Sequence, residues 1–137
     1  MKLSPADEKL LNGVHPDLIR VVRRAAELAT AQRINFKVIE GVRTMKRQRE
    51  LWEKGATQTL KSRHIPGTSA SETGYGHAVD IVPLLGGKIS WAWPQYYPLA
   101  DIIKKAAKLE SVPIEWGGDW KSFKDGPHWQ LPWSKYP

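Results

Sequence analysis

The chain has 137 residues, no cysteine, and a formal charge of +7 from 21 Lys/Arg against 14 Asp/Glu. That length suits one domain around one hydrophobic core. The lack of cysteine excludes disulfides and thiolate-bound metals, and no apolar run reaches the roughly 18–20 residues of a membrane-spanning helix.

The charge is uneven. Residues 1–63 carry 14 Lys/Arg against 7 Asp/Glu, whereas residues 64–137 carry 7 of each. A basic half is either a solvated helical face or a surface for polyanions, such as an anionic envelope or nucleic acid. Nucleic acid ranks last, because no recognised nucleic-acid-binding motif or zinc-finger spacing is present. The N-terminus lacks the apolar run of a signal peptide, which predicts synthesis in the cytoplasm without a leader.

In chain order, Pro16 and Asp17 open a helix. Leu18, Val21, Val22, Ala25 and Ala29 form its inner stripe, with Arg20, Arg23, Arg24 and Glu27 outward. Residues 36–42 read as a strand leading into Arg43. Thr44 caps a second helix running to Lys54, with Gly55 as its stop. Residues 56–76 read as a loop, 78–82 as a short strand and 85–88 as a turn. A helix over 95–110 places Leu99, Ile102, Ile103 and Ala106 inward and Lys104, Lys105 and Lys108 outward. Residues 113–116 and 128–131 read as two further strands. The predicted fold is α+β: a single small domain over residues 1–137, with a mainly antiparallel sheet and flanking helices.

The chemistry lies in three short stretches: Ser62-Arg63-His64, Gly76-His77-Ala78-Val79-Asp80 and Asp125-Gly126-Pro127-His128-Trp129. His64, Asp80 and His128 make up the donor set of a catalytic zinc centre, which uses three protein ligands and leaves one position open. Asp80 sits in an apolar strand, where a carboxylate needs a metal or a cation beside it; a salt bridge or turn cap is the plainer alternative. Asp125, three residues before His128, is placed to act as a base, although Asp-Gly is also an ordinary turn pair. Arg43 offers a guanidinium for a substrate carboxylate or an oxyanion; a surface ion pair is the alternative. Seven tryptophans are present, five of them between residues 91 and 129. Trp116, Trp120 and Trp129 read either as core or as cleft walls, with Trp129 the candidate for both.

Ser62-x-His64, Gly76-x-Ala78-x-Asp80 and Asp125-x-x-His128 resemble the signature of the VanY-like zinc D-alanyl-D-alanine carboxypeptidase family. Gly41-Val42-Arg43-Thr44 is similar to that family's arginine motif. Trp116-Gly117-Gly118-Asp119-Trp120 and Pro127-His128-Trp129-Gln130-Leu131 look like its phage branch, endolysins that cut the L-alanyl–D-glutamate bond of peptidoglycan. The resemblance covers residues 14–131. It implies that His64, Asp80 and His128 bind Zn2+, that Asp125 is the catalytic base, that Arg43 stabilises the substrate, and that Ser62 orients a ligand or touches substrate. It implies a hydrolase of the peptidoglycan stem peptide: a monomeric phage or prophage endolysin acting in host lysis. Such an enzyme is made in the host cytoplasm, released to the wall through a holin, and has no separate wall-binding domain.

Fifteen residues separate His64 from Asp80, more than the family's usual spacing. Residues 68–76 read as an insertion, a flap hinged at Gly74 and Gly76. It brings His77 forward as an alternative metal ligand. The competing functions are a D-alanyl-D-alanine carboxypeptidase or dipeptidase of wall remodelling, and a non-catalytic basic wall-binding module.

Overall fold

Strand order defines the molecule: four strands form an antiparallel path β1-β2-β5-β4, and β3 pairs with β2. The structure is a computed structural model and describes residues 3–55, 62–66, 73–122 and 124–137. The strands are β1 (Asn35–Glu40), β2 (Ala78–Leu85), β3 (Lys88–Ile89), β4 (Glu115–Trp116) and β5 (His128–Gln130). The helices are α1 (Pro5–Leu10), α2 (Pro16–Ala31), α3 (Met45–Glu53) and α4 (Trp93–Leu109). The α+β expectation with a mainly antiparallel sheet is borne out.

Local chemistry sets the helix ends. Pro16 occupies the first turn of α2, where a missing N–H costs nothing, and His15 Nδ1 accepts from the Asp17 N–H at 3.1 Å. All five predicted inward residues of α2 are buried, together with Ala26. Thr44 caps α3 by accepting from the Arg47 N–H at 3.1 Å, and Gly55 takes the positive φ of a helix stop. Helix α4 starts two residues before its predicted start, because Pro94 fits its first turn. Gly86 and Gly87, both at positive φ, form the two-residue hairpin turn that adds β3.

α2 and α4 pack together against one face of the sheet. That face supplies Phe36 and Val38 from β1, Val79 and Ile81 from β2, Trp116 from β4 and Trp129 from β5. Period-2 alternation sends Asp80, His128, Gln130 and Glu115 to the other face. There they line a cleft of about 550 Å³. The hydrophobic half of the sheet holds the fold, and the polar half is free for chemistry.

β1 ends at Glu40, two residues before the predicted end. Its pairing with β2 shifts between Val38 and Glu40: Val38 faces Ile81, and Glu40 faces Asp80. This bulge puts an extra residue into β1 and re-aims Glu40 onto the cleft face. Arg43 therefore lies in the irregular segment between β1 and α3 rather than ending a strand.

Candidate metal centre and catalytic cleft

His64, Asp80 and His128 come together. His64 Nε2 lies 3.2 Å from Asp80 Oδ1, and His128 Nδ1 lies 3.4 Å from the same oxygen. One donor atom from each residue falls within 4.8 Å of the others. Among the described residues, His64 Nε2 and Asp80 Oδ1 are buried without a hydrogen-bond partner. Two imidazoles and a carboxylate aimed at one point, with buried donors unsatisfied, fit a divalent cation.

Each histidine is oriented through its other nitrogen. His64 Nδ1 donates to the Gly41 carbonyl at 2.8 Å, which leaves Nε2 as the lone pair. Residue 41 must be glycine, because a Cβ there would collide with the Leu10 carbonyl oxygen. His128 Nε2 donates to Gln130 Oε1 at 2.7 Å, which leaves Nδ1 as its lone pair. For Asp80, burial works against the charged form, but the two imidazoles outweigh it and hold the carboxyl well below the ordinary carboxylate range. For His128, burial is likewise outweighed by Asp80, so its pKa lies above the ordinary histidine value.

Asp125 lines the same cleft. Its backbone is pinned at both ends: its N–H donates to the Gly117 carbonyl at 3.1 Å, and its carbonyl accepts from the His128 N–H at 3.3 Å. Gly117 is a packing requirement, since a Cβ there would strike the Asp125 carbonyl oxygen. Burial raises the Asp125 pKa, and the negative charge of Asp80 adds to the effect. A carboxyl raised in this way is suited to taking and returning a proton.

Arg43 is 9% exposed and heavily committed. Its Nε and Nη2 form a bidentate pair with Glu40, both at 2.7 Å, and Nη1 donates to Gln48 Oε1 at 2.6 Å and to Ser62 Oγ at 3.4 Å. Nη2 also faces Asp80 Oδ2 at 3.7 Å. Its charge reaches the cleft, but most of its donors are already used. Ser62 Oγ also accepts from the His64 N–H at 3.2 Å, so Ser62 steadies both Arg43 and His64.

The candidate Trp129 and the alternative ligand His77 both fall outside the cleft lining. Trp129 is 2% exposed and stacks on Trp116 with ring centroids 5.6 Å apart, on the core side of the sheet. Its neighbours in β5, His128 and Gln130, face the cleft, so alternation along the strand takes Trp129 away from substrate. The cleft aromatics are instead Trp120, whose ring centroid lies 5.2 Å from that of His128, and Trp133, with the Arg63 guanidinium 4.2 Å above its ring. His77 belongs to a separate cluster: its Nε2 meets Thr73 Oγ1 at 2.6 Å and its ring packs edge-on against His15 and Tyr136. Among the described residues, the group able to hold a metal is His64, Asp80 and His128, without His77.

Most of the 68–76 insertion lies outside the described residues. Its described end makes Gly76 an anchor rather than a hinge. The Gly76 N–H donates to the Gly13 carbonyl and its carbonyl accepts from the His15 N–H, both at 2.9 Å.

Glu40, Glu115 and Gln130 are cleft residues to which the motifs assign no role. Gln130 had a usable signal, since it lies two residues after His128 in a strand and must share its face. Among the described residues, no helix is long and apolar enough to cross a membrane.

A family model described as phage L-alanyl-D-glutamate peptidase matches residues 1–130. An L-alanyl-D-glutamate peptidase of Listeria phage A118 is 31% identical over 114 residues; the match covers 83% of this chain but only 36% of that protein. The L-alanyl-D-glutamate peptidase of Escherichia phage T5 is 28% identical, with 90% of this chain and 85% of the relative covered. The peptidoglycan L-alanyl-D-glutamate endopeptidase CwlK of Bacillus subtilis (strain 168) is 29% identical, with 91% and 77% covered. Among solved structures, the L-Ala D-Glu endopeptidase ChiX of Serratia marcescens superposes with a TM-score of 0.84 at 43% identity, covering 100% of this chain and 94% of that one. The D,D-dipeptidase VanXYg shares the fold alone, with a TM-score of 0.51 and 14% identity over 86% of this chain and 50% of that one. The chain belongs to the phage L-alanyl-D-glutamate peptidase family.

Proposed function

We propose that this protein is a zinc-dependent endopeptidase that hydrolyses the L-alanyl–D-glutamate bond in the stem peptide of peptidoglycan. The observation that carries this reading is the convergence of His64, Asp80 and His128 in one cleft with Asp125.

His64 Nε2, Asp80 and His128 Nδ1 would hold the zinc. A zinc ion so held supplies Lewis acidity toward a scissile carbonyl and toward water. Asp125 takes the proton of the attacking water and returns it to the departing D-glutamate amine. Its raised pKa suits both steps. Arg43 keeps Asp80 aligned and places a positive charge beside the developing oxyanion. Ser62 and Gly41 fix the His64 ring. Trp120 and Trp133 line the path of the stem peptide. No side chain forms a covalent bond to substrate in this scheme.

The biological setting we infer is host lysis by a phage or prophage enzyme that acts as a monomer. It accumulates in the host cytoplasm and reaches the wall after holin-dependent release. The basic residues of the N-terminal half favour approach to an anionic envelope.

The test is digestion of purified peptidoglycan before and after chelation and zinc re-addition, with mass spectrometry of the products. New N-terminal D-glutamate that disappears with chelator and returns with zinc supports the reading. Release of terminal D-alanine would instead indicate a carboxypeptidase. Binding without cleavage would indicate a wall-binding module.

A further inference from the structure

Beyond the three ligands and Asp125, the cleft holds a hydrogen-bonded chain running outward from His128. His128 Nε2 meets Gln130 Oε1 at 2.7 Å, and Gln130 Nε2 donates to Glu115 Oε2 at 3.2 Å. Strand geometry creates it. His128 and Gln130 share a face of β5, and Glu115 stands directly opposite Gln130 in the β4–β5 register. His128 is 8% exposed and Gln130 is 6% exposed, so water does not readily substitute for either partner.

The donor and acceptor rules make this chain directional. A carboxylate only accepts, so Glu115 draws the amide NH2 of Gln130 toward itself. That turns the amide oxygen toward His128. An amide oxygen also only accepts, so His128 must carry its hydrogen on Nε2. Its lone pair then lies on Nδ1, the atom that faces Asp80 Oδ1 at 3.4 Å. The opposite amide orientation would present NH2 to Nε2, move the ring hydrogen to Nδ1, and close that nitrogen to a cation.

We propose that Glu115, acting through the Gln130 amide, sets the tautomer of His128 and so keeps Nδ1 open for metal. Both are positioning residues. Glu115 does the work that a carboxylate usually does by touching a ligating histidine directly, with an amide interposed. This proposal rests on the metal reading above.

The experiment measures zinc affinity of the purified chain by competition with a chromophoric chelator, and, at a pH where the imidazole is neutral, the His128 tautomer in the metal-free protein by 15N NMR. Wild type is expected to bind zinc and to show hydrogen on Nε2. Gln130→Leu is expected to weaken zinc binding by about 10–100-fold, and Glu115→Ala by a smaller factor with a mixed tautomer. The exchanged pair, Gln130→Glu with Glu115→Gln, puts a carboxylate on His128 and an amide outside it. It is expected to restore Nε2–H and near-wild-type affinity.

Unchanged zinc affinity in Gln130→Leu would overturn the proposal, as would an exchanged pair that folds yet binds no better than Gln130→Leu. If Gln130→Leu does not fold, Glu115→Ala decides by the same two readouts. Wild type that fails to bind zinc would overturn the metal reading as well; unaffected variants of a zinc-binding wild type would remove only the role of Glu115 and Gln130.

Discussion

Glu40 faces Asp80 across the β1–β2 pair, and it does so because one extra residue of β1 bulges between Val38 and Glu40. Regular alternation would place Glu40 on the same face as Phe36 and Val38, inside the core. The bulge turns it to the cleft, where it grips Arg43 with two bonds of 2.7 Å. Arg43 in turn faces Asp80 at 3.7 Å. The alignment of one ligand thus depends on a backbone irregularity in β1, just before the Gly41 carbonyl that holds the His64 ring.

Arg43→Lys tests that arrangement. An ammonium cannot reproduce the bidentate contact with Glu40 while also reaching Gln48 and Ser62. Turnover on peptidoglycan is expected to fall by at least about tenfold, with far-UV circular dichroism retained. Wild-type kcat in this variant would show that the guanidinium geometry is dispensable.

Asp125→Asn separates proton transfer from metal binding. The amide keeps the size of the carboxyl and the backbone contacts to Gly117 and His128. Zinc content is expected to stay at one per chain while kcat falls by roughly 10²–10⁴. Loss of zinc together with activity would instead make Asp125 part of the metal site.

The tryptophans divide by function. Trp129→Ala removes a 2%-exposed ring stacked on Trp116, and is expected to cost about 3–5 kcal/mol of folding stability in denaturant titration. Trp120→Ala, on the cleft wall, is expected to leave the denaturation midpoint nearly unchanged and to raise KM for peptidoglycan. The reverse pattern would return Trp129 to the cleft.

His77 gives a pH dependence with a defined sign. Burial, followed by the charges of Arg63 and His15, depresses its pKa from 6.5 to about 4. Between those values the unfolded chain takes up a proton at this imidazole and the folded chain does not. Stability therefore falls as pH drops from about 6.5 to about 4, by up to roughly 3 kcal/mol from this group, and His77 contributes no slope above that window. In urea titrations of the metal-free protein, His77→Gln is expected to flatten the dependence relative to wild type. An equally steep dependence in the variant would assign the proton uptake elsewhere.

Much of this architecture is legible in the sequence. The inner stripes of α2 and α4 are written at helical spacing, and Thr44 and Gly55 mark both ends of α3. The motif histidines and aspartates identify the metal group because their chemistry is specific to few arrangements. Less is legible where tertiary pairing decides. The β1 bulge carries no turn residue to announce it, so Glu40 reads as a strand residue rather than as the partner of Arg43. β4 and β5 are two and three residues long, too short for periodicity to sort Trp129 from Gln130 without knowing which face is core. Helix α1 has one short signal, Ser4 before Pro5; the Ser4 Oγ accepts from the Asp7 N–H at 3.1 Å.

The most direct test of the central claim is anomalous diffraction at the zinc absorption edge from crystals of the zinc-loaded protein. The account predicts one strong peak about 2.0–2.2 Å from His64 Nε2, from an Asp80 carboxylate oxygen and from His128 Nδ1. A peak at His77, or no peak between these three side chains at full zinc loading, would contradict it.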